Sequence, residues 1–299
     1  MAVRVGTEAL LGARVVAASS APLGLTPGLA ARVQLDDGRR VFVKAAGVAR
    51  GRGGVEKLRQ EAWVLAGLPP AAPAPRLLGV YDDGRWVAIV STDVGGRPPA
   101  LPWRRDELDR VLAAVADCAG ATTPSPLPAP RFVVDWAADL TGWRRLAANP
   151  DVPLPASVDA WASRHRDRLA ALEAGWPAAA DGQTLLHGDL RADNILLTDE
   201  QVWFVDWPSA CVGAAWLDLI YLLPSVAVSA GADPEDVVTT HPLTRDVDPA
   251  ALTAMVAAVA GFLITVGAEP APWYAPEVRA FQLAEGAAAV RWLRRRLGA

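Results

Sequence analysis

Two short polar segments constrain this chain more than any other feature. The first is His187-Gly188-Asp189-Leu190-Arg191-Ala192-Asp193-Asn194, and the second is Val205-Asp206-Trp207. Apolar residues flank both. Thr184-Leu185-Leu186 predicts a short buried strand. Ile195-Leu196-Leu197 and Val202-Trp203-Phe204-Val205 predict a hairpin that turns at Asp199-Glu200. The polar groups therefore fall where strands end, which is where a rigid site is best built. Their types suit one chemistry. Asp189 can accept a hydroxyl proton, and Asn194 and Asp206 offer oxygen ligands to Mg2+ on a nucleoside triphosphate. The same residues also fit a polar turn in which Asp189 and Asn194 cap backbone groups. That alternative leaves Asp206, an acid placed after a second apolar strand, without a reason.

About the first ninety residues predict a small, mostly β region. Arg32-Val33-Gln34-Leu35 and Arg40-Val41-Phe42-Val43-Lys44 predict strands joined by a turn at Asp36-Asp37-Gly38-Arg39. Val55, Leu58, Ala62, Leu65 and Ala66 recur at helical spacing, so a helix is expected over Val55 to Gly67. Glu61 lies close to that apolar stripe, where a carboxylate needs a cationic partner. Lys44, at the end of its strand, reads in isolation as a surface lysine on an edge. Trp86 to Val90 predicts another strand, leading into Ser91-Thr92-Asp93-Val94-Gly95-Gly96. Upstream, residues 22 to 29 (Pro-Leu-Gly-Leu-Thr-Pro-Gly-Leu) form a turn whose glycines let backbone N–H groups approach an anion. Thr26 and Gly28 are its candidate donors, although Pro-Gly is also an ordinary turn. The segment has neither G-x-G-x-x-G nor the Gly-Lys-Ser/Thr of a Walker A loop.

Beyond residue 97 the pattern is helical. Helices are expected over Asp106 to Ala121, Val134 to Ala148, Ala156 to Ala174, Trp216 to Leu223, Pro249 to Val266 and Ala275 to Leu297. Arg294-Arg295-Arg296 is expected to serve the helix C-terminal dipole and solubility. No window is expected to be long and charge-free enough to span a bilayer. The first residues lack a signal-peptide layout, so a cytoplasmic protein is expected. Cys118 and Cys211 form no Cys-x-x-Cys pair and predict apolar filling. His165 is expected to face solvent. A net charge of −4 speaks against a nucleic-acid partner.

The segments His187–Asn194 and Val205–Trp207 resemble the catalytic and metal-binding loops of the aminoglycoside phosphotransferase family, small-molecule kinases with a protein-kinase-like fold. Protein kinases carry the related H-R-D-x-x-x-x-N and D-F-G. Here Gly188 stands for the Arg, Trp207 for the Phe and Pro208 for the final Gly. The first two changes are those of the small-molecule family. The resemblance implies an α+β, bilobal, protein-kinase-like fold. Its β-rich N-lobe would cover residues 1–93, and its larger, mainly helical C-lobe residues 94–299.

The resemblance further implies an ATP- or GTP-dependent kinase that uses Mg2+ held by Asn194 and Asp206, with Asp189 as the catalytic group. Lys44, paired with Glu61, would position the α/β-phosphates. Thr26 and Gly28 would cover them. Ser91, Thr92 and Val94 would meet the base at the hinge between lobes, where a plain Gly-rich linker is the other account. His187 would brace the loop and Asp218 would support it. Protein kinases place a long substrate-binding segment between the equivalents of Asp206 and Asp218, and this chain has none. A small hydroxylated acceptor is therefore expected, with no nucleic acid and no membrane partner. The family's range, from aminoglycosides and macrolides to choline, homoserine and sugars, leaves the acceptor open. A nucleotide-binding pseudokinase with a sensor or scaffold role is the alternative.

Overall fold

The computed structural model describes residues 2–21, 28–229, 232–273 and 275–298. It divides into two compact units, Met1–Pro98 with Asp193–Ala210, and Pro99–Ala192 with Cys211–Ala299. The predicted phosphate-covering position Thr26 lies outside the described residues.

The first unit opens with helix α1 (Ala2–Leu11), then strands β1 (Val15–Ser20), β2 (Leu29–Leu35) and β3 (Arg40–Gly47). Helix α2 (Arg52–Gly67) and strands β4 (Leu77–Asp82) and β5 (Trp86–Thr92) follow. The strands form one sheet in the order β1-β2-β3-β5-β4, with every neighbour antiparallel. Alternation along β3 sorts its side chains. Val41, Val43 and Ala45 are buried on one face with Val33, Leu35 and Val90, where Val3, Leu11 and Tyr81 pack. Phe42 and Lys44 point to the other face. There Ala46, Val87 and Ile89 meet Val55, Leu58 and Ala62 of α2. Lys44 pairs with Ile89 in the ladder, so it is turned toward α2. The segment 193–210 adds a hairpin, Ile195–Leu197 against Val202–Phe204, with Ile195 opposite Phe204.

The second unit is mainly helical. Its small sheet pairs Thr184–Leu186 with Cys211–Gly213. The expected helices over 134–148 and 156–174 are each broken in two. The chain instead forms Phe132–Asp135 and Gly142–Ala148, then Ala160–Arg164 and Arg166–Glu173. The buried Glu173 carboxylate explains one break. It accepts the N–H groups of Trp143 and Arg144 and so starts a new helix at Gly142.

Three expectations are corrected here. The Pro249–Gly267 helix is long and apolar enough to cross a membrane, at 19 residues and a mean hydropathy of 2.1. It is also 72% buried within the protein and packs against the Val278–Arg296 helix. A helix apolar all round is what a core position demands. The Arg294-Arg295-Arg296 run does more than serve the dipole. Arg294 pairs with Asp159 and Arg296 with Glu235, at 2.6 and 2.8 Å, and Arg295 pairs with Asp233. His165 is half-buried rather than solvent-facing. Its ring stacks on Trp161 with centroids 4.8 Å apart, and Nδ1 lies 2.7 Å from the Trp161 carbonyl. Both cysteines are buried, and burial pushes both thiols up, so each fills apolar space.

Candidate active site

In the first unit, Lys44 bridges two carboxylates. Its Nζ lies 2.7 and 2.9 Å from Glu61 Oε1 and Oε2, and 2.6 Å from Asp206 Oδ1. Local rules bring the first pair together. Strand alternation aims Lys44 at α2, and Glu61 sits among Leu58, Ala62 and Leu65 on the buried stripe of that helix. Glu61 is 4% exposed. Burial pushes its carboxyl up, against the pull of Lys44 and of the Trp207 N–H. Burial disfavours the charge on Lys44, but Glu61 and Asp206 outweigh it and hold the ammonium above the ordinary lysine range.

The hairpin delivers Asp206 and Asn194. Its ladder ends with Ile195 opposite Phe204. One step further, the Val205 N–H donates to the Asn194 carbonyl at 2.9 Å. Asn194 and Asp206 therefore leave the same end of one hairpin. Asp206 has φ 70°, in the left-handed region. Aspartate tolerates that region better than most residues, and the turn directs its carboxylate to Lys44. Trp207 behind it is fully buried, and its indole N–H donates to the Phe204 carbonyl at 2.9 Å. The Phe204 N–H reaches the Pro73 carbonyl at 2.6 Å and anchors the hairpin to the loop after α2.

These residues line one cavity of about 570 Å3, which also takes in Gly28, Ser91, Thr92, Asp93 and Val94. That volume lies within the range of small-ligand sites. A Cβ on Gly28 would stand 2.8 Å from the Ala45 carbonyl, so the chain needs glycine to pass there. Thr92 is already engaged. Its N–H donates to the Arg76 carbonyl, and its hydroxyl accepts the Arg76 N–H. Asp93 was not foreseen as a site residue. Its side chain is 3% exposed, with Arg40 Nη2 at 2.9 Å and Arg32 Nε at 3.5 Å. It also accepts the Gly95 N–H. The sequence signal for it was a lone acid directly after an apolar strand.

In the second unit, Thr184–Leu186 leads into His187, Gly188 and Asp189. Gly188 has φ 78°, a conformation that glycine adopts at no steric cost. Asp218, in the first turn of the Leu217–Val228 helix, holds this bend. Its two carboxylate oxygens accept the N–H groups of His187 and Gly188, at 2.7 and 2.9 Å. Burial pushes the Asp218 carboxyl up, opposed by His187 and by those N–H groups. His187 is fully buried, and its Nδ1 accepts the Asp189 N–H at 3.3 Å. The Asp189 side chain is 44% exposed, with Arg191 Nε at 3.8 Å. Lys44, Glu61, Asn194 and Asp206 thus belong to one unit and Asp189 to the other.

Residues 29–241 match the model of the family described as "Phosphotransferase enzyme family". Among solved structures, a thermostable mutant of the aminoglycoside phosphotransferase APH(4)-Ia, in complex with ADP and hygromycin B, is 14% identical. The match covers 98% of this chain and 99% of that one, with a TM-score of 0.59. The macrolide 2'-phosphotransferase MphH from Brachybacterium faecium is 18% identical over 97% of this chain and 96% of its own, with a TM-score of 0.57. At such identities the likeness is one of fold. No curated protein matches the sequence significantly.

Proposed function

Because this chain belongs to the phosphotransferase enzyme family, and is a kinase of protein-kinase-like fold, we propose that it moves the γ-phosphoryl group of ATP or GTP to a hydroxyl of a small molecule. The observation that carries this reading is the bridging of Glu61 and Asp206 by Lys44 in the cavity that Asn194 also lines. A nucleotide needs a cation for its phosphates and oxygen ligands for its metal, and this cluster supplies both.

In this reading the α/β-phosphates lie at Lys44, whose position Glu61 fixes from the buried side. Gly28 covers the phosphates. The base lies toward Ser91, Thr92 and Val94. Since the Thr92 N–H and hydroxyl are committed to Arg76, the hydrogen-bonding edge falls on the backbone beyond it, at Asp93 and Val94. The donor set fits Mg2+. Asn194 and Asp206 are hard oxygen ligands, and Mg2+ characteristically takes one or two protein ligands and completes its shell with phosphates and water. When bound, Mg2+ neutralises charge on the phosphate oxygens.

Asp189 orients the acceptor hydroxyl. The bond from the γ-phosphorus to the bridging oxygen breaks as the bond to the hydroxyl oxygen forms. The proton passes to Asp189, leaving a nucleoside diphosphate and a phosphate ester. Asp218 acts on this group through the backbone, by fixing His187 and Gly188.

Isothermal titration with Mg-ATP and Mg-GTP tests the proposal, alongside a phosphoryl-transfer screen over aminoglycosides, other antibiotics, amino alcohols and sugars. One nucleotide site per chain, weakened by Lys44→Ala, and transfer to at least one compound are expected. Absence of nucleotide binding at millimolar concentration overturns the reading. Binding without transfer to any acceptor makes the chain a pseudokinase.

A further inference from the structure

The cavity described above is lined wholly by the first unit, and it holds one cation that the proposed function leaves unused. The chain has 29 lysines and arginines, and only Lys44 and Lys57 are lysines. Both line this cavity. Everywhere else the cation is arginine, so composition alone does not account for a second lysine in the same cavity. The two side chains differ in what they offer. Arginine presents a planar fork, and lysine a compact ammonium on a flexible stem with three rotatable donors.

Strand register gives the cavity a direction. Along β3, Phe42, Lys44 and Ala46 line it, and they pair with Ser91, Ile89 and Val87 in that order. The Ser91 end is the one proposed for the base, and Lys44 stands in the middle. Gly28 passes the Ala45 carbonyl toward the other end. Helix α2 begins at Arg52, just after β3 ends at Gly47. Its opening turns therefore border that same end, where Gly54 and Lys57 line the cavity. Lys57 precedes Glu61 by one helical turn, so it shares that face and stands about 5.4 Å nearer the helix start. The charge of Lys57 is uncommitted. Two other cations of the wall are held at the hinge end, Arg32 by Asp93 and the Gly96 carbonyl, and Arg97 by the Pro98 carbonyl. Lys57 is exposed and has no ion pair or hydrogen bond among the described residues. The first turn of α2 carries no acid, and the adjacent Glu56 lies on a different face of the helix. Both Glu61 oxygens are taken by Lys44.

We infer that Lys57 binds the terminal phosphate of the donor nucleotide and so selects a triphosphate over a diphosphate. This inference rests on the phosphotransferase function proposed above. With the base at the Ser91 end and the α/β-phosphates at Lys44, the third phosphate continues toward the opening turns of α2. Lys57 closes on it as a mobile point charge. The contact ends when the γ-phosphoryl group leaves for the acceptor. Lys57 therefore favours entry of the triphosphate and does nothing to retain the diphosphate product.

Titration calorimetry on the full chain compares Mg-ADP with the magnesium complex of the β,γ-imido analogue of ATP, which is not hydrolysed, and the guanine pair is run in parallel. Lys57→Gln should weaken the triphosphate analogue about tenfold, as expected for the loss of one charge-assisted contact. Its affinity for the diphosphate should stay close to that of wild type. Lys57→Arg keeps the charge and should retain most of the triphosphate affinity, whereas Lys44→Ala should weaken both nucleotides. Because Lys57 is exposed, the thermal midpoints of its variants should match wild type. The scarcity of lysine gives a second readout that needs no mutation. In limited acetylation followed by mass spectrometry, either nucleotide should protect Lys44, and only the triphosphate should protect Lys57. Equal losses for both nucleotides in Lys57→Gln, no loss for either, or acetylation of Lys57 that the triphosphate does not slow overturns the inference and leaves the kinase function standing. Wild-type protein that binds neither nucleotide overturns the function itself, and this inference with it.

Discussion

Replacing Lys44 with methionine keeps most of the side-chain volume and removes the ammonium that bridges Glu61 and Asp206. Glu61 is 4% exposed, so its carboxylate loses its nearest counter-charge with little water to replace it. Breaking a buried ion pair from one side costs about 3–5 kcal/mol. Asp206, at 34% side-chain exposure, can rehydrate, which places the expected loss near the lower end, about 3 kcal/mol. The cost should depend on pH. Burial already holds the Glu61 carboxyl above its ordinary value in the folded protein, and losing Lys44 raises it further. A group raised on folding contributes stability below its unfolded pKa and loses it as pH rises through the folded one. The deficit of Lys44→Met should therefore be largest at neutral pH and shrink on acidification toward the ordinary carboxylate range. Adding Glu61→Gln removes the stranded charge. The double variant should recover about half the loss at neutral pH, because a neutral amide is cheaper to bury than an unpaired carboxylate. Urea denaturation followed by tryptophan fluorescence, for wild type, both single variants and the double variant at pH 7 and pH 5, gives all the required terms. Additive losses, or a Lys44→Met deficit independent of pH, would show that Glu61 is not held charged by Lys44.

Three further outcomes are expected. Asp206→Ala should lower turnover by several orders of magnitude while the protein stays folded, and near wild-type turnover with an identified acceptor would refute its assignment as a metal ligand. Asp189→Asn should cost about a thousandfold in turnover with nucleotide affinity nearly unchanged; a large loss of affinity with turnover preserved would make it a nucleotide or metal ligand. Asp218→Ala should leave the His187 and Gly188 N–H groups without their acceptor, at about 1–3 kcal/mol for each unmet buried donor. Thermal denaturation and amide exchange at those residues measure that loss.

Several elements were legible because their causes are local. The hairpin over 195–204 has two apolar runs and a polar turn, and its register alone brings Asn194 and Asp206 to one end. The helix over 52–67 shows its buried face as a stripe, and Glu61 stands out as a charge on that stripe. The sequence was silent where the cause lies elsewhere in the chain. Strand Leu77–Asp82 reads Leu-Leu-Gly-Val-Tyr-Asp and takes its form from pairing with β5. Cys211–Gly213 is three residues long, too short for a pattern, and exists because Thr184–Leu186 pairs with it. The N-terminal helix declares itself only by the sheet face on which Val3 and Leu11 pack. The break before Gly142 is imposed by Glu173, thirty residues away, through the Trp143 and Arg144 N–H groups.

By itself the sequence determined the candidate site residues: His187, Gly188, Asp189, Asn194 and Asp206 in order and spacing, with a lysine strand and a glutamate helix upstream. Residue type and short-range periodicity carry that information, since strand alternation and helical repeat act over a few positions. Only tertiary structure decided how those groups are held. It set Lys44 within 2.6–2.9 Å of both Glu61 and Asp206, and tied the bend at Gly188 to Asp218. It gathered Trp136, Tyr221 and Phe262 from three separate segments, and buried a 249–267 helix that is apolar enough for a membrane. Each of these depends on surface removed from water by partners distant in the chain, and no local window contains both sides of such a contact.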